Sequence, residues 1–176
     1  VHWNYDPARE AEALSRVPYL KAEFLSIAWE SDFEGSNAYG SRGILLWVKK
    51  NGDAAAYNVV SGGSAINRLV IGKNSRIPSG VWQPGLNGNN TLPEIGANGA
   101  IRYPNSKKPA APFIRHGISF KFYIPTPGTG RGDILFHPTP GSTDGCVGLC
   151  GPASQLIEFR DRFMGYRGAR PKLYVP

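Results

Sequence analysis

Gly43-Ile44-Leu45-Leu46-Trp47-Val48, then Asn51-Gly52, then the run from Ala54 to Val60, is the stretch that decides the fold. The first run reads as a strand, and Asn-Gly is the strongest short hairpin signal, because both residue types accept positive φ. Ala54 to Val60 is then the returning strand. With 22 Gly and 15 Pro against 41% hydrophobic residues, the rest of the chain is rich in turns and poor in long helical runs. Both observations point to a β-dominated globular protein.

Outward from the hairpin, Ser61-Gly62-Gly63-Ser64 ends the second strand, and Ile77-Pro78-Ser79-Gly80-Val81-Trp82 enters another. Pro112-Phe113-Ile114-Arg115 and the alternating run Ile118 to Ile124 return to strand character, with turn signals filling Pro125 to Gly132. Gly151-Pro152 opens a segment whose Leu156, Ile157, Phe159, Phe163 and Met164 lie near one face at helical spacing, and Lys172 to Val175 reads as a closing strand. Residues 84 to 112 hold much Pro, Gly and Asn without periodicity, a length that suits a lid, a groove wall or a surface excursion. At the start, Asp6-Pro7 and the Ala/Glu/Arg run after it predict a helix over 7 to 28, broken or kinked at Pro18. Trp3, Tyr5, Tyr19, Phe24 and Trp29 are expected to pack this arm onto the domain.

A length of 176 residues suits one domain. The net charge of +7 invites a polyanion: nucleic acid, an anionic membrane surface or bacterial wall polymers. Lys49-Lys50, Lys107-Lys108, Arg160, Arg162, Arg167 and Arg170 form no nucleic-acid motif, so no nucleic-acid partner is expected. No run approaches the roughly 18 apolar residues a spanning helix needs, so the chain is expected to be soluble, with no membrane insertion. A chain starting at Val1 is expected to be a processed or trimmed piece.

The chemistry concentrates in Ile134-Leu135-Phe136-His137, an apolar run that delivers a histidine to a strand end, and in the Pro/Gly/Ser/Thr loop leading to Gly145-Cys146. A thiol is a good nucleophile as thiolate, and a nearby imidazole lets the pair exist as thiolate and imidazolium. Cys150 is the second cysteine, four positions on; it either packs or forms a disulfide with Cys146. No metal or cofactor is expected, because two cysteines without a correctly spaced histidine do not make a zinc site. His116 before Gly117 is a structural residue by default, and His2 carries no signal.

On these residues the chain resembles the L,D-transpeptidase catalytic domain, the YkuD-like family. His137 followed by Thr143-Asp144-Gly145-Cys146-Val147-Gly148 is similar to its Ser/Thr-His-Gly-Cys-Ile/Val-Arg motif, while Val60-Ser61-Gly62-Gly63 and Ile77 to Trp82 look like two upstream turns, in order. The similarity covers roughly residues 43 to 165. Asp144 stands where the family has a second histidine, Gly148 replaces its arginine, and the loop from His137 to Cys146 is short, as in transpeptidase-fold effectors of type VI secretion.

The resemblance implies a mainly β, sandwich-like transpeptidase fold with a C-terminal helix: an N-terminal helical arm over 1–42 and a catalytic domain over 43–176. It implies a periplasmic or secreted cysteine enzyme acting on peptidoglycan tetrapeptide stems as transpeptidase, carboxypeptidase or D-amino-acid exchanger, with an immunity protein or secretion apparatus as further partners. Cys146 would be the nucleophile and His137 the base. Amides around Gly145, Cys146 and Val147 would hold the oxyanion, and a carbonyl in Ser142-Thr143, or else Asp144, would orient the imidazole. With no arginine at 148, Arg115 and Arg131 are the cations open to substrate binding, and Trp82 is placed with the binding residues. The rival expectation is a non-catalytic wall- or glycan-binding β module, with Trp47, Trp82 and Tyr103 as stacking residues and a Cys146–Cys150 disulfide. A papain- or NlpC-like peptidase fits less well, since there the cysteine precedes the histidine.

Overall fold

The computed structural model describes residues 8, 22–36, 38–50, 52–64, 75–86, 94–95, 101–102, 114–132 and 134–176. The decisive hairpin is present: β2 (Tyr39–Val48) pairs antiparallel with β3 (Ala54–Gly62), from Gly40 opposite Gly62 to Val48 opposite Ala54. The Lys49 N–H donates to Asp53 O at 2.8 Å and the Gly52 N–H to Lys49 O at 2.9 Å, closing the turn. Asn51 itself lies outside the described residues.

β1 (Phe24–Glu34) runs antiparallel to β2 along nearly its whole length, with an irregularity between Trp29 and Ser31. This corrects the expected arm over 1–42: from residue 24 the chain is an inner strand of the sheet. Leu25 and Ile27 join one buried cluster while Phe24 and Ala28 join another, a period-2 split that two flanking strands reward more than helix propensity does. Of the helix expected over 7 to 28, the part up to residue 21 lies outside the described residues, Ala8 apart, as do Trp3, Tyr5, Pro18 and Tyr19.

The main sheet has eight strands. In spatial order they are β4 (Gly80–Trp82), β12 (Lys172–Val175), β1, β2, β3, β11 (Val147–Leu149), β10 (Leu135–Pro138) and β9 (Phe122–Tyr123). Pairings are antiparallel except β1 with β12 and β10 with β11. Just past β4, the Gly85 and Tyr123 amides exchange hydrogen bonds of 2.8 and 2.9 Å, so the two edges meet and the sheet curls on itself. The expected sandwich is therefore replaced by one curled sheet. Two short hairpins stand apart from it: β5 (Glu94–Ile95) with β6 (Ile101–Arg102), and β7 (Ile114–Arg115) with β8 (Ile118–Ser119). Most of the 84–112 stretch, including Tyr103, lies outside the described residues, as do Pro112 and Phe113.

Helix α1 (Ala153–Gly165) fills the concave side. Its Leu156, Phe159 and Phe163 are fully buried, while Ile157, expected on the same face, is exposed. Phe159 meets Tyr57 and Phe136 at 5.1 Å between ring centroids, and Phe163 stacks on Phe122 at 4.3 Å. Such pairs add roughly 0.5–1.5 kcal/mol each beyond area burial. The Asn58 N–H donates to Gln155 Oε1 at 3.0 Å and fixes the helix on β3.

Strand alternation then sorts the remaining residues. Leu45, Trp47, Tyr57, Val59, Phe122, Phe136, Val147 and Leu149 face the helix, so their neighbours in sequence face the opposite side of the sheet.

Candidate active site

Parallel pairing of β10 with β11 sets Phe136 beside Val147 and His137 beside Gly148. Phe136 and Val147 point into the core, so His137 and, one residue ahead of β11, Cys146 turn to the other face. Cys146 is then the diagonal neighbour of His137. Diagonal Cβ atoms stand roughly 7–8 Å apart, within the combined reach of an imidazole and a thiol. Both residues are buried, at 3% and 8% exposure, so their chemistry is shielded from bulk water.

The loop that brings the chain back from His137 is held by two threonines. Thr143 is a hub: its hydroxyl donates to Cys146 O at 2.7 Å and accepts the amides of Gly62 at 2.9 Å and Gly145 at 3.2 Å. Thr143 N–H donates to Gly62 O, and Ser64 N–H to Thr143 O, stitching the loop to the end of β3. Ser61 Oγ donates to Gly145 O at 3.0 Å and accepts the Ile77 amide at 2.8 Å. The two upstream motifs, around Ser61 and Ile77, thus meet at the nucleophile loop. Thr139 ties down the other end, donating from Oγ1 to Ser142 O and from its amide to Leu149 O.

Several expected roles change. His137 Nδ1 lies 2.8 Å from Pro138 O; a carbonyl only accepts, so Nδ1 carries the proton and Nε2 is left as the acceptor. The orienting group is therefore the Pro138 carbonyl, while those of Ser142 and Thr143 accept from Thr139 Oγ1 and from the Ser64 amide. Asp144 is exposed and accepts from Ser64 Oγ at 3.2 Å, which takes its carboxylate away from the imidazole. The Gly145 amide points inward to Thr143, so it is not an oxyanion donor.

Arg131 is the cation at the site. Its Nη2 donates to Asp144 O at 2.8 Å and to Ser75 O at 3.2 Å, and it would lie 1.9 Å from a Cβ added at Gly145. With φ at +123°, Gly145 also adopts a backbone conformation that side chains disfavour. A compact turn holds the arginine there: Thr126 Oγ1 donates to Arg131 O, and Arg131 N–H to Thr129 Oγ1. Among the described residues its guanidinium meets carbonyls and no carboxylate. Arg115 instead donates to Gly151 O at 3.0 Å, past the far end of β11. An arginine at 148 is excluded by space, because even a Cβ there would meet Thr139 Cγ2 at 2.2 Å.

Trp82 faces the helix side, packs on the core and donates from Nε1 to Pro78 O, so it is not with the catalytic face. Trp47 is fully buried. His116, at φ +52°, forms an exposed turn with Gly117 between β7 and β8. Cys150 and Cys146 are both free thiols at opposite ends of β11. Four extended residues span about 13 Å, too far for a disulfide, and the helix-like spacing expected from the sequence is not adopted. Burial pushes the Cys150 thiol up to about 11, against the pull of Arg115. Among the described residues, no group of three or more His, Cys, Asp or Glu is placed to hold a metal.

Burial pushes His137 from 6.5 down to about 4, helped by the nearby Lys121 charge and opposed by the bond to Pro138. At neutral pH the resting imidazole is thus uncharged, rather than the imidazolium expected from the sequence. Because the folded value lies below the unfolded one, the unfolded chain binds the extra proton between these limits, and stability falls as pH drops from about 6.5 toward 4. Denaturant titrations at pH 7.5 and 4.5 should differ by about 2–3 kcal/mol more in the wild type than in His137→Gln.

Lys121 is the residue that sequence reasoning missed. Its signal was the alternation of Ile118 to Ile124, which turns Ser119, Lys121 and Tyr123 away from the buried even-numbered positions.

Comparison of the chain with protein-family models, curated proteins and solved structures finds no match.

Proposed function

We propose that the chain is a cysteine acyltransferase or peptidase of the L,D-transpeptidase type, acting on peptidoglycan stem peptides in the periplasm or after secretion. The observation that carries this reading is the β10–β11 register, with Cys146 and His137 on one buried sheet face and Nε2 of the imidazole as acceptor. The resemblance in the Gly145-Cys146 segment and the two upstream motifs supports the substrate class. The short His137-to-Cys146 loop supports the branch delivered by type VI secretion, with an immunity protein as its partner.

In this chemistry Nε2 of His137 takes the thiol proton as sulfur attacks the carbonyl before the terminal D-alanine. The carbonyl oxygen becomes an oxyanion, and the Arg131 guanidinium beside Gly145 offsets its charge. The imidazolium returns the proton to the departing amine, the C–N bond breaks, and a thioester to Cys146 remains. Water, a second stem's amine or a free D-amino acid then takes the acyl group, giving hydrolysis, cross-linking or exchange. The rival binding module loses its disulfide, while Trp47 and Trp82 face the core.

Incubation of the protein with a disaccharide tetrapeptide and a free D-amino acid, read by mass spectrometry, tests the reading. Loss of D-alanine, exchange or dimer formation is expected. Unchanged muropeptides with intact, reduced protein would contradict it.

A further inference from the structure

The positive charge of the chain is unevenly placed. Lys172, Phe24, Val48 and Ala54 are level with one another across β12, β1, β2 and β3, so these four strand ends form one rim of the sheet. Lys172 stands on that rim, and Lys49 and Lys50 lie in the turn just past Val48. Tyr166 packs on Trp47, which brings Arg167 to the same end. Lys50, Arg167 and Lys172 are exposed and Lys49 is half-buried. Among the described residues none of the four has a carboxylate partner, whereas Arg160 and Arg162 pair with Asp161 and Glu158. Arg170 stands behind them and caps the helix, donating to the carbonyls of Phe163 and Met164. The described carboxylates at this rim are Glu23, which accepts from Trp47 Nε1, and Asp53.

The opposite end is balanced. Asp32, Glu34 and Asp144 stand there with Arg42, Arg76 and Arg131, and Arg76 pairs with Asp32. Val147, next to the nucleophile, is level with Ser61 and Ser41, so about 23 Å of β2 separates the nucleophile end from the basic rim. Charge concentrated at one end turns the molecule in an anionic field, rim first.

The form of the rim selects the partner. Level strand ends present their cations to a plane, where all of them are engaged at once. Of the large apolar side chains exposed among the described residues, Tyr39, Val81 and Ile157, none stands on the rim, so none there wedges into a bilayer or stacks on a base. Attachment of this kind is electrostatic and superficial, and each cation near an anionic leaflet raises the partition about fivefold.

We infer that the basic rim of Lys49, Lys50, Arg167 and Lys172 is a docking surface for an anionic phospholipid membrane, which the protein touches without entering. The inference goes beyond acyl transfer and does not depend on it. A chain docked by this rim carries its nucleophile end away from the lipid.

The test floats the whole protein with vesicles of phosphatidylcholine, alone or mixed with phosphatidylglycerol, at low and at high salt. The wild type is expected to partition onto the anionic vesicles about 10²-fold better than onto the neutral ones, and to lose that preference at high salt. Lys50→Gln with Lys172→Gln should weaken the binding by about tenfold or more. Ser31→Glu with Ser154→Glu lowers the net charge equally, on exposed residues away from the rim, and should cost far less. Equal losses in the two double variants would mean that net charge alone is felt and would overturn the docking surface, as would undiminished binding of the lysine variant. Long inorganic polyphosphate is the competing arm: release of the protein from the vesicles at equal phosphate content would assign the rim to a phosphate polymer and overturn the membrane. Cys146→Ala is expected to bind like the wild type, so failure of acyl transfer and failure of docking are read apart.

Discussion

Cys146→Ala is expected to reduce D-alanine release from a tetrapeptide stem to background, a loss of at least about 10³-fold, with the fold intact. The side chain is small, and truncating it should cost no more than about 1–2 kcal/mol in a denaturant titration. His137→Gln is the companion experiment. Glutamine keeps a donor for Pro138 O but offers no base, so kcat should fall by about 10²–10⁴-fold. Since the two residues act as one unit, the double variant should lose little more than Cys146→Ala alone. Additive losses would mean that the imidazole acts elsewhere than on the thiol.

Thr143→Val carries the second large effect, this time through the scaffold. The threonine hydroxyl uses its full capacity, one donated bond to Cys146 O and two accepted from Gly62 and Gly145. Valine has the same shape and none of these partners, so two amides and a carbonyl are stranded in a buried loop. A stranded buried group costs about 1–3 kcal/mol, and the three together should remove about 3–5 kcal/mol of stability, read by denaturant titration. Activity should fall as well, because Cys146 O is one of the points that place the nucleophile. Thr143→Ser keeps the hydroxyl and should recover most of the stability.

What could be read from the sequence was local. The Gly43–Val60 hairpin, the amphipathic α1, the closing β12 and the delivery of His137 to a strand end all rest on periodicity and turn chemistry within a few residues. β1 was missed because Phe24 to Glu34 follows a helix-favouring run, and only its pairing with β2 and β12 exposes the alternation of Leu25 and Ile27 with Ala28. The curl of the sheet was equally hidden, since it depends on Gly85 meeting Tyr123.

The site divides the same way. Cys146, His137 and Gly145 stood out by residue type and order. Pro138 O did not, and Thr143 and Arg131, both named from the sequence, acquire their particular contacts from the parallel packing of β10 on β11 and from the 126–131 turn. Asp144 looked suitable in the motif, yet its turn aims the carboxylate at Ser64. Gly148 looked like a lost arginine; in the fold it is the position where Thr139 and Thr143 leave no room for a side chain.

The most direct measurement is the intact mass of the protein, acid-quenched within seconds of mixing with a tetrapeptide stem. The account predicts an adduct equal to the stem minus D-alanine, cleaved by hydroxylamine as a thioester, mapping to Cys146 and absent from Cys146→Ala. Turnover of the stem without that adduct, or with an adduct on another residue, would contradict a Cys146 acyl-enzyme.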